Sequence, residues 1–173
     1  MTRNQIGDLP NFFDRYILLS TENQELLEGL ERFAPEKLFS DLEKYNAIGD
    51  KIYAPDKWSI KDILQHCIDT ERVMSYRAMC FARNDDNVLP GFEEGLYAKN
   101  THLENRTIAS LIEEFSVLRK STILLFTYMD KTMLLRKGTA NMTRISPLSL
   151  GFVIIGHALH HEKIIKERYY SLG

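Results

Sequence analysis

Three of the five histidines of the chain crowd into one short stretch, from His157 to His161. His157 and His161 are four residues apart, a spacing that places two side chains on the same face of a helix. Two imidazoles in this arrangement can present their nitrogen atoms to one divalent metal ion. The stretch lacks the glutamate of the HExxH motif, so a metal site needs support from elsewhere in the chain.

That support comes from His66, which is predicted to face inward from a different helix. It shares an apolar helix face with Thr70 and, further along, with Arg77. Polar groups on a core-facing line are costly unless they are paired, ligated or open to a cavity. We therefore predict that His66, His157 and His161 form a three-imidazole site for one divalent metal. The alternative is that each histidine is a hydrogen-bonded residue of the core.

The helices that carry these residues have recognisable starts. Ser59 followed by Asp62 has the spacing of a capping box, and Ser146 followed by Pro147 suits a second helix start. Helical periodicity predicts long helices over 12–33, 59–83, 106–128 and 147–170 and a long loop over 84–103. Residues 35–47 are predicted to form either a second short helix or a continuation of the first one after a kink. Four long helices with little strand pattern predict an all-α fold, a four-helix bundle. A loop as long as 84–103 is typical of a lid, and 137–144 is predicted to be turn and loop.

Composition restricts the class of protein. A chain of 173 residues with a formal charge of −2 predicts one domain over 1–173 and offers no strong field for nucleic acid or an anionic membrane. Cys67 and Cys80 lie too far apart on one helix for a disulfide, and two free thiols suggest a reducing compartment. With no signal core and no apolar run of membrane-spanning length, we expect a cytoplasmic protein. The Gly-rich phosphate loops and the GxSxG nucleophile motif are absent.

Two segments resemble the metal-binding helices of the DinB/YfiT-like superfamily. The first reads KWSIKDILQH over 57–66, continued by DTER at 69–72 and YR at 76–77, and the second reads GHALHHEKI over 156–164. The LPGF at 89–92, with Tyr97 further on, is similar to the loop between the second and third helices of that superfamily. Tyr97 departs from the pattern, since relatives often have tryptophan there.

The resemblance implies an up-down-down-up bundle, often a homodimer, with nickel or zinc held by His66, His157 and His161. Superfamily functions divide between metal-dependent hydrolases and thiol S-transferases that use low-molecular-weight thiols such as bacillithiol or mycothiol. A small-molecule substrate or thiol is then the expected partner. In a thiol transferase, Arg77 would bind a carboxylate of the cofactor or an acidic substrate, although a salt-bridged or snorkelling arginine is an equal alternative.

The reaction itself stays open at the level of sequence. A hydrolase would use the metal to activate water, whereas a transferase would use it to favour a thiolate. No catalytic base is identified, because Asp69 and Glu162 are expected either to support the metal ligands from behind or to lie on the surface. The third possibility is a non-catalytic stress-response or binding module built on the same bundle.

Overall fold

The computed structural model describes residues 1–173, and most of them are helical. The helices are α1 (Asp14–Ile17), α2 (Leu26–Arg32), α3 (Pro35–Leu38), α4 (Leu42–Ile48), α5 (Ile60–Ala82), α6 (Glu94–Lys99), α7 (Ile108–Thr127), α8 (Lys131–Leu135) and α9 (Pro147–Arg168). Short 3₁₀ turns cover Arg3–Ile6 and Tyr170–Leu172, and the strands are β1 (Gly138–Ala140) and β2 (Thr143–Ile145). None of the helices combines the length and apolarity needed to cross a membrane.

The three long helices α5, α7 and α9 pack side by side, with α5 between the other two, and α1 and α2 fill the fourth position. The predicted all-α class and four-helix bundle are confirmed. Large apolar side chains such as Phe115, Phe126 and Phe152 are fully buried between these layers. Burial of such residues is the main source of stability for a bundle.

The single helix predicted over 12–33 is wrong, because the chain breaks between α1 and α2. Backbone groups of 22–25 pair instead with the N-terminal residues: Arg3 N donates to Gln24 O at 3.1 Å and Asn4 N donates to Glu22 O at 3.0 Å. Leu26 N likewise donates to Met1 O at 2.9 Å. Tertiary pairing therefore takes the backbone groups that a continuous helix would have used.

The starts of α5 and α9 match their predictions. Ser59 N donates to Asp62 Oδ2 at 2.9 Å, and Asp62 N donates to Ser59 Oγ at 3.3 Å, which completes the capping box. At α9, Ser149 N donates to Ser146 Oγ at 3.2 Å, and Pro147 occupies the first turn. These caps set where the two histidine-bearing helices begin and hence which residues face the core.

The residues predicted as turn and loop at 137–144 form a small antiparallel hairpin. Strands β1 and β2 pair with Gly138 opposite Ile145, and both turn residues, Asn141 and Met142, have positive φ values of 47° and 62°. This hairpin is bonded to the long loop, since Asn141 N donates to Leu89 O at 3.0 Å. The predicted loop 84–103 also contains α6, so hairpin and loop form one cover beside the C-terminal half of α5.

Candidate metal centre

His66 on α5 and His157 and His161 on α9 meet in the interior of the bundle. One ring nitrogen from each lies within 4.8 Å of the other two, and the Nε2 atoms of His66 and His157 are 3.0 Å apart. Metal–nitrogen bonds of 2.0–2.1 Å in tetrahedral geometry separate ligand nitrogens by about 3.3 Å. The three side chains therefore fit one divalent ion with small adjustments, and their role as ligands stays a prediction.

The electrostatics of the cluster favour neutral imidazoles. Burial lowers the pKa of His66 to about 4 and that of His161 to about 3, and it lowers the pKa of His157 well below its usual value. Neighbouring imidazoles lower the pKa values of His157 and His161 further. Neutral imidazole is the form that binds metal, so protons would not compete for these nitrogens at pH 7.

One polar atom of the cluster is unsatisfied. His161 Nδ1 is buried and has no hydrogen-bond partner. A buried nitrogen without a partner is costly, and the donor set around it consists of imidazoles alone. Such a set suits zinc and nickel and does not distinguish between them. The residues present thus fit the metal that the sequence predicts.

Aromatic rings hold the histidines in place. The Tyr16 ring meets His157 edge-on with centroids 5.3 Å apart, and the Trp58 ring lies 4.8 Å from that of His66. Both aromatic side chains thus pack directly against histidines of the cluster. Arg15 donates to the hydroxyl of Tyr16 at 3.2 Å.

Two cavities reach the cluster, each from its own set of residues. The first, of about 120 Å³, is lined by His66 and His157 together with polar residues; these are Arg15, Thr70, Arg77, Glu94 and Asn141. The second, of about 340 Å³, is lined by His161 with Tyr53, Trp58 and Tyr169. Each cavity thus offers room for a small molecule beside at least one histidine of the cluster.

Three polar residues of the first cavity have no counterpart in the sequence prediction: Arg15, Glu94 and Asn141. They come from α1, α6 and the hairpin turn, which lie far apart along the chain. For Glu94 a signal did exist, because it lies in the long loop predicted to act as a lid. It supplies the carboxylate of this cavity.

Four other residues that could take part in chemistry do not point into the cluster as free acids, bases or nucleophiles. Asp69 accepts a hydrogen bond from Gln65 at 3.0 Å, and Glu162 pairs with Lys166, so neither faces the cluster as a free base. His102 is exposed and lies outside the cluster. Cys67 is a buried free thiol whose pKa is raised by burial, which suits a structural residue and not a nucleophile.

The chain is thus a helical protein of a definite class. It is a four-helix bundle in which three inward histidines, carried by two packed helices, form a candidate site for one metal ion. Residues 21–165 match the family model of the DinB superfamily, and the chain belongs to that superfamily. No curated protein is significantly similar to the chain. The family expected from its histidine motifs is thereby confirmed.

A solved structure supports the same fold. YfiT from Bacillus subtilis is 14% identical to this chain and superposes with a TM-score of 0.62, over 90% of this chain and 84% of its own. It is described as "a probable metal-dependent hydrolase with an unusual four-helix bundle topology". At this identity the match establishes the shared topology, the expected up-down-down-up bundle.

Proposed function

We propose that this protein is a metal-dependent hydrolase whose divalent ion, nickel or zinc, is held by His66, His157 and His161. The observation that carries the proposal is the set of three ring nitrogens, one from each histidine, that lie within 4.8 Å of one another. YfiT, which has the same fold and is described as "a probable metal-dependent hydrolase", supports the reaction class.

A divalent ion held by these three imidazoles would supply Lewis acidity, which lowers the pKa of a water molecule towards neutral pH. His66, His157 and His161 would hold the ion in the interior of the bundle, where the two cavities give a substrate access to it. We assign the role of proton acceptor to Glu94, because its carboxylate lines the same cavity as His66 and its charge acts on that imidazole.

The test is hydrolysis of a panel of chromogenic carboxylic esters, amides and phosphate esters by metal-loaded protein. We expect turnover of at least one class that is lost after metal removal and restored by nickel or zinc. Glu94→Gln should lower the rate by roughly 10²-fold or more with metal content unchanged. Glu93→Gln is the matched control, since Glu93 is an adjacent exposed carboxylate that does not line the cavity. No metal-dependent turnover of any class would contradict the proposal.

A thiol S-transferase is the second candidate, favoured by the presence of two cavities at the cluster. A transferase must hold a thiol and an acceptor together, and the cavities beside His66 and His161 give each reactant its own space. Incubation with cysteine and an alkylating acceptor would distinguish the two. Metal-dependent loss of free thiol favours transfer, and its absence together with ester turnover favours hydrolysis.

Two further expectations remain proposals. Free, buried Cys67 and Cys80 support a reducing compartment such as the cytoplasm. The homodimer implied by the superfamily is tested by sedimentation equilibrium, where a mass near 40 kDa would support it and a mass near 20.1 kDa would not.

A further inference from the structure

Arg77 is a buried cation without an anionic partner. Only 4% of the residue is exposed, and no carboxylate forms an ion pair with it. The other deeply buried arginine, Arg119, is 1% exposed and binds Glu71 through three hydrogen bonds of 2.8–3.1 Å. Burying an unpaired charge costs free energy, and an anionic ligand bound to Arg77 would offset that cost.

The contacts of Arg77 show where its guanidinium lies. One terminal nitrogen donates to Pro90 O at 2.7 Å, and the other lies 3.8 Å from the sulfur of Met74. The side chain therefore reaches back along α5 towards His66, as helical side chains do. A guanidinium has five N–H donors, so most of them are free to bind a ligand in the cavity that Arg77 lines.

Thr70 provides a second unsatisfied group between His66 and Arg77. It is 4% exposed, and its Oγ1 has no hydrogen-bond partner although it lines the same cavity. Positions 66, 70 and 77 follow one face of α5. A buried hydroxyl without a partner costs stability, which a polar ligand would recover.

We propose that the substrate is a carboxylic acid whose carboxylate binds Arg77 and Thr70 while its reacting end faces His66 and His157. Arg77 and Arg15 give the cavity a positive balance against the single carboxylate of Glu94, and this balance suits a monoanion better than a dianion. The contact with Met74 places the guanidinium about two helical turns, roughly 11 Å, beyond His66. The acid is therefore an elongated one. This inference deepens the proposed metal-dependent function.

The test uses protein loaded with cobalt(II) and a thiol probe that reports through the cobalt absorption spectrum. We compare 6-mercaptohexanoate with 6-mercaptohexanol, and both with the shorter mercaptoacetate. The long acid should bind about tenfold or more tightly than the alcohol, and more tightly than the short acid. Inorganic phosphate should displace it weakly. Equal affinity for acid and alcohol would overturn the proposal, and displacement by phosphate at lower concentration than by hexanoate would overturn the choice of carboxylate.

Variants separate a binding role from a structural one. Arg77→Gln and Thr70→Val should reduce the preference for the acid, and Arg77→Lys should retain part of it. Arg72→Gln is the matched control, because Arg72 lies on the same helix but pairs with Glu114 outside the cavity. Thr70→Val should leave the melting temperature unchanged or raise it, since it removes an unsatisfied hydroxyl. If Arg77→Gln does not fold, the binding role is tested by Thr70→Val and by the comparison of the acid with the alcohol in wild type.

A metal-free arm keeps this inference distinct from the proposed function. Hexanoate and hexanol are titrated into apoprotein, with chemical shifts near Arg77 as the readout. A preference for hexanoate in wild type that Arg77→Gln loses supports the anion site even if no metal binds. Absence of that preference, in protein that does bind metal, overturns the anion site and leaves the metal centre intact.

Discussion

Gly156 on α9 lies directly against the backbone of Tyr16, so that a Cβ at position 156 would be 2.0 Å from the carbonyl oxygen of Tyr16. Only a glycine at position 156, directly before His157, allows the α1 segment to pass this close to α9. Tyr16 in turn packs its ring against His157. A small residue thus positions one wall of the metal centre.

Gly156→Ala is expected to displace Tyr16, to destabilise the fold by about 1–3 kcal/mol and to weaken metal binding. Backbone cannot move aside as a side chain can, so the change should spread to His157. Metal affinity is measured by competition with a chromogenic chelator. The control is Gly151→Ala, whose Cβ would meet the flexible side chain of Leu26 at 2.6 Å. Equal metal affinity in both variants would contradict this role for Gly156.

The apoprotein should lose stability as the pH falls below about 6.5. Unfolded histidine takes up a proton near pH 6.5, whereas folded His66 and His161 stay neutral down to about pH 4 and about pH 3. In this window the unfolded state binds more protons, so the free energy of unfolding decreases as the pH decreases. Each such histidine adds a slope approaching about 1.4 kcal/mol per pH unit.

Urea denaturation of apoprotein between pH 5 and 7 measures this dependence in a range where few carboxylates titrate. His161→Gln should show a shallower slope than wild type, and His102→Gln, which alters an exposed histidine, should show the wild-type slope. A wild-type stability that stays flat over this range would be evidence against neutral, buried imidazoles.

The buried pair of Arg119 and Glu71 is expected to be essential for the bundle. Arg119 also donates to Leu30 O at 3.2 Å and to Phe33 O at 2.9 Å, which ties the end of α2 to α7. Arg119→Met leaves Glu71 buried without a partner and should cost about 3–5 kcal/mol in thermal or urea unfolding. Arg72→Met, which breaks a more exposed pair, should cost about 1 kcal/mol or less. A similar decrease in the free energy of unfolding in both variants would show that the buried pair stabilises the bundle no more than the exposed pair does.

The sequence was sufficient for the helices that carry the histidines, because their signals are local. The capping residues Ser59 and Ser146 and the four-residue spacing of His157 and His161 depend on neighbours along the chain. The three histidines consequently meet as their helix faces predicted. Arg77 was correctly placed on the inner line of α5, and the absence of an ion pair was visible only in the structure.

What the sequence missed depends on contacts between distant segments. The break between α1 and α2 follows from pairing of residues 1–4 with 22–25, which periodicity cannot reveal. The hairpin turn at Asn141 and Met142 lacks the glycine that normally marks such turns. Glu94 reaches the cavity because α6 folds over α5. The length of the loop indicated a lid, but nothing in its local sequence indicated that Glu94 would be the residue that lines the cavity.

The central claim is tested most directly by the metal content of untagged protein purified without chelator, measured by inductively coupled plasma mass spectrometry. Wild type is compared with His66→Ala, His161→Ala and the exposed-site control His102→Ala, each checked for helicity by circular dichroism. We predict about one equivalent of nickel or zinc in wild type and in the control, and loss of the metal in the other two with helicity retained. Full metal occupancy in His66→Ala and His161→Ala, or failure of wild type to bind any added divalent ion, would contradict the account.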